Sequence, residues 1–199
     1  MAFINKDDII EDVNENLGLN ASDTDLDRQI NKVLSDLSKK GLLIDTDDTQ
    51  TLDDGDTTLN WPTGYRSTFN ITLTDAGGTE REPLIKLPGG IKEYRQKIAH
   101  GSTAGIPRWF AEFEGKFYLW GTAGEAYTTL IEFRKNHPKD PNNIEFDTDF
   151  ENVMFAGVTY WKAAALTRSN AVAIWKPIYD QEMKKVVLDR RNQPSLMRG

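Results

Sequence analysis

Pro107-Arg108-Trp109-Phe110-Ala111-Glu112-Phe113, a Glu114-Gly115 break, and then Lys116-Phe117-Tyr118-Leu119-Trp120 is the stretch on which the fold turns. Two short aromatic-rich runs flank a two-residue break containing glycine, which predicts an antiparallel hairpin. Working upstream, Thr58 to Trp61 and Arg66 to Thr74 alternate Thr, Phe, Ile and Leu with period two and read as strands. Asp75-Ala76-Gly77-Gly78 is expected to turn the chain into a further strand over Glu82 to Leu87. Pro88-Gly89-Gly90 ends that strand, and Ile91, Tyr94 and Ile98 have the spacing of a short helix lying on the sheet. Downstream, Tyr127 to Lys135 puts Tyr127, Thr129, Ile131 and Phe133 on one face of another strand. The middle of the chain is therefore expected to be a small antiparallel sheet with one short helix.

The flanks change period. Asn5, Asp7 and Asp8 precede Ile9, Ile10, Val13 and Leu17, with Gly18 as a stop, which predicts a helix with acids at its positive end. Ser22 and Asp25 fit a capping box that opens a second helix, striped by Leu26, Ile30, Val33, Leu34 and Leu37 and closed by Gly41. From Leu42 to Asp56 the apolar period fails amid Asp and Thr, and this stretch reads as a connector. After Asp149, Phe150, Val153, Met154, Gly157, Val158, Trp161 and Ala165 return to helical spacing. A last helix begins near Asn170 with Val172, Trp175, Ile178, Tyr179, Met183, Val186 and Val187, with Pro177 kinking it or marking its start. Gly157 and Ala163 to Ala165 are small where another helix could approach closely.

The expected class is α+β: a helical bundle formed by the N- and C-terminal helices, with a small antiparallel β-rich insert in the middle. The expected segments are 1–57 (helical hairpin and acidic connector), 58–148 (β-rich insert with one short helix), 149–191 (C-terminal helices completing the bundle) and 192–199 (exposed tail).

Composition narrows the chemistry. The chain of 199 residues contains no cysteine, which excludes disulfides, cysteine metal sites and cysteine nucleophiles. No stretch reaches the roughly 18 apolar residues that a membrane span needs, and Asp7 and Asp8 sit where a signal peptide would be apolar. A protein made in a cytoplasm is expected, with no membrane partner. The net charge of −7 is unevenly spread, because residues 1–60 hold 15 acids and 5 bases while residues 161–199 hold 8 bases and 3 acids. Acids that solvate turns and cap helices account for such an imbalance, and so does charge-complementary stacking of subunits.

The chain lacks a recognisable catalytic set. Its two histidines, His100 and His137, precede Gly101 and Pro138 and read as loop residues. Asp45, Asp47, Thr49 and Asp56 have calcium-loop spacing, but Gln50 stands where the sharp turn needs Gly and Asp56 where Glu is usual, so solvated acids in a flexible loop are expected. Gly101-Ser102-Thr103-Ala104-Gly105 has the wrong spacing for a nucleophile turn and reads as a hinge. Glu112 and Glu114 form the best local carboxylate pair, yet they alternate with Phe113 and read as an outward polar face. No cofactor, metal or catalytic residue is expected. Trp109, Tyr118 and Trp120 concentrate aromatic surface that fits a protein partner or, alternatively, the stacking platform of a carbohydrate-binding β module on a helical support.

The order of these elements resembles the head-to-tail adaptor (connector) proteins of tailed bacteriophages. Trp61-Pro62-Thr63-Gly64-Tyr65 running into Phe69 to Thr74 is similar to the family's proline-marked entry to its β-insert. Leu87-Pro88-Gly89-Gly90-Ile91 followed by Tyr94 looks like its short inserted helix. Gly105 with Ile106-Pro107-Arg108-Trp109-Phe110 and Phe117 to Trp120 resembles its hairpin, and Asp149, Tyr160, Trp161, Ala163 to Ala165, Tyr179 and Met183 resemble its ending. The resemblance implies a non-enzymatic virion protein of the head-tail neck. It would form a homo-oligomeric ring of about twelve subunits between the capsid portal protein and a tail or nozzle protein, and DNA would pass through without sequence-specific binding. An acidic channel wall would repel the phosphate backbone and let DNA slide. The C-terminal residues Arg190, Arg191, Leu196, Met197 and Arg198 are the expected contacts to the portal.

Overall fold

The structure, a computed structural model, describes residues 3–101 and 105–192. It is of the α+β class, and its internal contacts gather into two compact units: residues 1–43 with 136–199, and residues 44–135.

In the first unit α1 (Lys6–Leu17) starts at Asn5, whose side chain accepts the Asp7 N–H at 3.1 Å, and stops at Gly18 in the left-handed region. Both ends match the sequence reading. The turn that follows is held by one amide: Asn14 donates to the Ala21 carbonyl at 3.0 Å and accepts the Ala21 N–H at 2.9 Å. Helix α2 (Asp23–Lys39) opens where the Asp25 carboxylate accepts both the N–H and the hydroxyl of Ser22. Those bonds hold the Asp25 carboxyl below the usual carboxylate range. A 3-10 turn (Thr148–Phe150) leads into α4 (Glu151–Ala165), which packs on α1, on α2 and on α5 (Ser169–Asn192). One core runs through these elements, with Ile9, Val13, Leu26, Ile30, Val33 and Val158 among its members.

Gly157 sets the closest approach. A Cβ built there would lie 2.6 Å from Val33 Cγ2 and 2.7 Å from Tyr179 Cε2, so only glycine lets α4 meet both α2 and α5 at this level. Tyr179 adds a hydrogen bond from its hydroxyl to Asp36 at 3.2 Å. Helix α5 continues past Pro177, although the ring removes one helical donor.

The loop from 136 to 147 is more ordered than a polar linker. His137 is buried: its backbone N–H reaches Ser38 Oγ at 2.9 Å, its Nε2 accepts the Glu145 N–H at 2.9 Å, and its ring stacks on Phe146. Acceptance at Nε2 puts the proton on Nδ1, facing the Pro138 carbonyl. The expectation of an ordinary loop histidine is corrected, because this imidazole organises the loop.

The second unit holds two four-stranded sheets where one small antiparallel sheet was expected. In the first, β8 (Tyr127–Lys135) pairs along one edge with β4 (Tyr65–Asp75) and along the other with β1 (Ile44–Asp47) and β2 (Thr51–Leu52). In the second the order is β3 (Thr58–Asn60), β7 (Lys116–Trp120), β6 (Trp109–Phe113), β5 (Ile85–Lys86), and the β5–β6 pair is parallel. Proline explains that departure. Pro83 has no N–H to give to β4, so the ladder is interrupted between the bonds from the Arg81 N–H to the Leu73 carbonyl and from the Leu84 N–H to the Ile71 carbonyl, and from Ile85 the chain pairs with β6 instead. The strand expected over Glu82 to Leu87 shrinks to Ile85–Lys86.

The two sheets enclose one core of Leu52, Ile71, Leu73, Phe110, Phe117 and Ile131 with their neighbours. The hairpin at 109–120 forms as expected, and its Glu114-Gly115 turn has φ of 45° and 82°. Its far face carries α3 (Gly90–Ala99), seated through Tyr94 and Ile91 on Ala111, Trp109, Tyr118 and Trp120.

The acidic connector also needs correction. Residues 44–47 and 51–52 are strands, and Gln50 between them pairs its side-chain amide with both backbone groups of Asn60. Asp47 accepts from Thr49 and from Gln50 Nε2, so this acid is spent on a turn and not left in a flexible loop. Burial would raise its carboxyl, and those bonds outweigh burial and lower it.

Candidate interaction surfaces

The residues with the most chemical promise in the sequence are committed to structure. Glu112 was expected on an outward polar face, but β6 turns it toward the other sheet. Its carboxylate accepts the Thr68 hydroxyl at 2.6 Å and pairs with the Lys86 ammonium at 2.6 Å. Burial pushes the Glu112 carboxyl up, yet the Lys86 and Thr68 bonds win and hold it below the usual range. Tyr65 joins the cluster through Thr68 at 2.7 Å, and burial pushes its phenol upward. Glu114 occupies the turn itself, so the two carboxylates face no common substrate position. Among the described residues no group of three or more histidines and acids could hold a metal ion. No described helix is long and apolar enough to cross a membrane.

Trp109, Tyr118 and Trp120 lie together on the α3 side of the hairpin. Trp109 and Trp120 are cross-strand partners with centroids 4.7 Å apart, and Tyr118 meets Tyr94 at 5.5 Å. Lys97 of α3 places its ammonium 4.5 Å from the Trp120 ring centre and 6.0 Å from Trp109. These rings fasten α3 to the sheet, a use that the hairpin pattern alone did not reveal. The signal was in the helix: Tyr94 and Lys97 stand three residues apart and face the sheet together.

Of the C-terminal candidates, Arg190 and Arg191 fall in the last turn of α5. Leu196, Met197 and Arg198 lie outside the described residues, as do Ser102 to Ala104 of the expected hinge.

The first unit has two exposed surfaces of distinct character, one on α1 and one on α5. The outer side of α1 carries Asp7, Asp8, Glu11, Asp12 and Glu15, all exposed. All five stand at i,i+4 from a like charge, and no lysine or arginine among the described residues pairs with any of them. A shallow groove runs along this side, lined by Asp7, Ile10, Glu11, Asn14, Glu15 and Leu19. The outer side of α5, opposite its buried Tyr179 and Val186, exposes Ile174 (59%), Ile178 (37%) and Leu188 (56%) beside Lys184 and Lys185. At the α4–α5 junction the Arg168 guanidinium donates to the Leu17 carbonyl, satisfying the C-terminal end of α1.

Among curated proteins none matches this chain. A family model does: it spans residues 4–198 and therefore takes in every helix and strand described above. The chain belongs to the SU10 adaptor protein family of bacteriophage head-to-tail adaptors, and is an adaptor protein of the phage virion.

Proposed function

We propose that this adaptor works by assembly and without catalysis, as a homo-oligomeric ring of about twelve subunits in the neck of the virion. The match to the adaptor family over residues 4–198 carries this reading. In it the N- and C-terminal helices act as one bundle, and the β unit is an insert that presents further contact surface. The ring joins the portal protein to a tail or nozzle protein and lets DNA pass without reading its sequence. The net charge of −7 suits that passage, because an acidic wall does not retain a phosphate backbone. The subunit is made in the host cytoplasm and joins the virion afterwards.

The C-terminal end of the chain, with Arg190, Arg191, Leu196, Met197 and Arg198, is the contact to the portal in this proposal. Two observations weigh against the carbohydrate alternative: Trp109 and Trp120 are tilted by 51° to each other and lie against Lys97 of α3, so they do not present a flat pair to a sugar ring. Imaging of the native particle formed by the full chain with its portal protein tests the reading. A closed ring seated on the portal is expected, and truncation after Leu188 should abolish that seating while leaving the circular dichroism spectrum of the subunit intact. Normal seating of the truncated chain would overturn the C-terminal assignment, and a persistent lack of rings would overturn the whole reading.

A further inference from the structure

Helix α5 is apolar on two sides. Its inner side, through Tyr179 and Val186, belongs to the core, whereas Ile174, Ile178 and Leu188 lie on the opposite side at 59%, 37% and 56% exposure. Pro177 and Ala173 extend that strip, and Lys184 and Lys185 border it. Lys176 is engaged locally with Asp180 at 2.6 Å, and of the two bordering lysines Lys185 pairs loosely with Glu182 at 3.8 Å. A strip of this kind, apolar with a basic margin, is the make-up of a docking surface.

The same unit carries its complement. The outer side of α1 bears five carboxylates without a base, in like-charge pairs at Asp7–Glu11, Glu11–Glu15 and Asp8–Asp12. Such pairs destabilise an isolated helix, and Glu15 also stands in its last turn, at the negative end, where there is no base. The positive N-terminal end of α1 favours Asp7 and Asp8, but among the described residues no base offsets the repulsion, and a basic surface on another molecule would do so. Charge alone does not define the surface, since the groove along α1 has Ile10 and Leu19 in its lining between the acids. The groove is mainly acidic and polar, with Ile10 and Leu19 as its two apolar members, so it complements the basic margin of the α5 strip by charge and offers the strip a small apolar contact.

We infer that the outer side of α5, through Ile174, Ile178, Lys184, Lys185 and Leu188, docks onto the acidic groove of α1 in a second copy of this chain. Both helices pack on α4 and turn these sides away from it. Two different complementary surfaces on one subunit make a heterologous, head-to-tail contact, which repeats from copy to copy and closes into a ring when the rotation allows. The inference rests on the ring reading and names the two surfaces that would build it.

Complementary charge reversal in the full-length chain tests it, read as native mass and sedimentation at low and high salt. Lys184→Glu with Lys185→Glu should weaken self-association by at least about tenfold, and Glu11→Lys with Glu15→Lys should do the same. Combining all four reversals should restore the oligomer. The α1 reversals should also raise the melting temperature of the subunit, because they turn the Asp7–Glu11 repulsion into attraction and put a base in the last turn of α1, so that lost assembly coincides with a more stable fold. Ile174→Asp supplies an independent variant for the apolar strip, and its assembly should fall with its spectrum unchanged. If the wild-type chain forms rings and both reversed pairs still form them, as acids lining a channel would allow, the inference is overturned and the ring reading stands. Failure of the fourfold variant to reassemble also overturns it. If the wild-type chain never forms rings, both readings fall.

Discussion

The two units of this chain treat their charge differently. The helical unit mixes aliphatic side chains from α1 and α2 with rings such as Phe146, Phe150 and Tyr179, depends on the close approach at Gly157 between Val33 and Tyr179, and keeps the α1 acids on an outer helix side. The β unit is held by rings: Trp61, Tyr65, Phe110, Phe117 and Phe133 lie in contact between the sheets, and its most informative charge, Glu112, is turned inward and neutralised. Charge left outside is open to solvent and to other molecules, whereas charge turned inward and paired acts as a strut. The sequence contains both kinds as acidic residues, and only the fold separates them.

The largest effect should come from the ring-packed side of this contrast. Phe117 is fully buried and touches Trp61, Tyr65 and Phe110 at centroid distances of 6.5, 5.4 and 5.9 Å. Truncation of Phe117 to Ala should cost about 3–5 kcal/mol, measured by denaturant titration. If the two units have separate cores, the transition reported by the β-sheet infrared band should shift well before that reported by the helical far-ultraviolet signal. A single joint shift of both would show that the contrast in composition carries no difference in cooperativity.

Gly157→Ala probes the other side. In an exposed helix this change would add about 1 kcal/mol of stability. Here the added Cβ meets Val33 and Tyr179 at 2.6 and 2.7 Å, so overpacking should reverse the sign and cost about 1–3 kcal/mol. Thermal unfolding of the variant decides it: a raised melting temperature would mean that α4 can shift freely, and that backbone proximity is not what holds the helical unit.

What could be read from the sequence followed from periodicity. The stripe from Leu26 to Leu37, the caps at Asn5 and Ser22, and the alternation of β8 each repeat a local rule several times, and each appears in the structure. Residues 44–52 could not be read this way, because β1 is only four residues long and alternates no apolar side chains; its pairing is dictated by the free edge of β8. The return strand was misjudged since Pro83 acts on a ladder that only the tertiary structure shows. The inward turn of Glu112 was hidden for a related reason. Alternation states which residues share a face, and Glu112 shares one with Phe110, but a glutamate there reads as solvent-facing until Lys86 and Thr68 are placed beside it. Among the C-terminal candidates, Arg190 and Arg191 were placed on the last helix by its apolar period alone.

The inward strut gives the smallest effect and the sharpest pH test. Glu112 has its carboxyl held below the ordinary range in the folded state, with burial opposing and the Lys86 and Thr68 bonds prevailing. A depressed folded pKa means that the unfolded chain binds this proton first as pH falls. The stabilisation is therefore present above the unfolded value of roughly 4.3, and is lost as pH falls through the folded one. Glu112→Gln removes the charge but keeps the shape and one acceptor, so at neutral pH it should cost about 1 kcal/mol, discounted because Lys86 is half exposed. The gap between variant and wild type should narrow as pH drops below about 5 and close once Glu112 is protonated in the folded wild type. Melting temperatures of both proteins across that range measure it. A gap that stays constant with pH would mean that the Glu112 charge contributes nothing, and the contrast between inward struts and outward contacts would lose its best example.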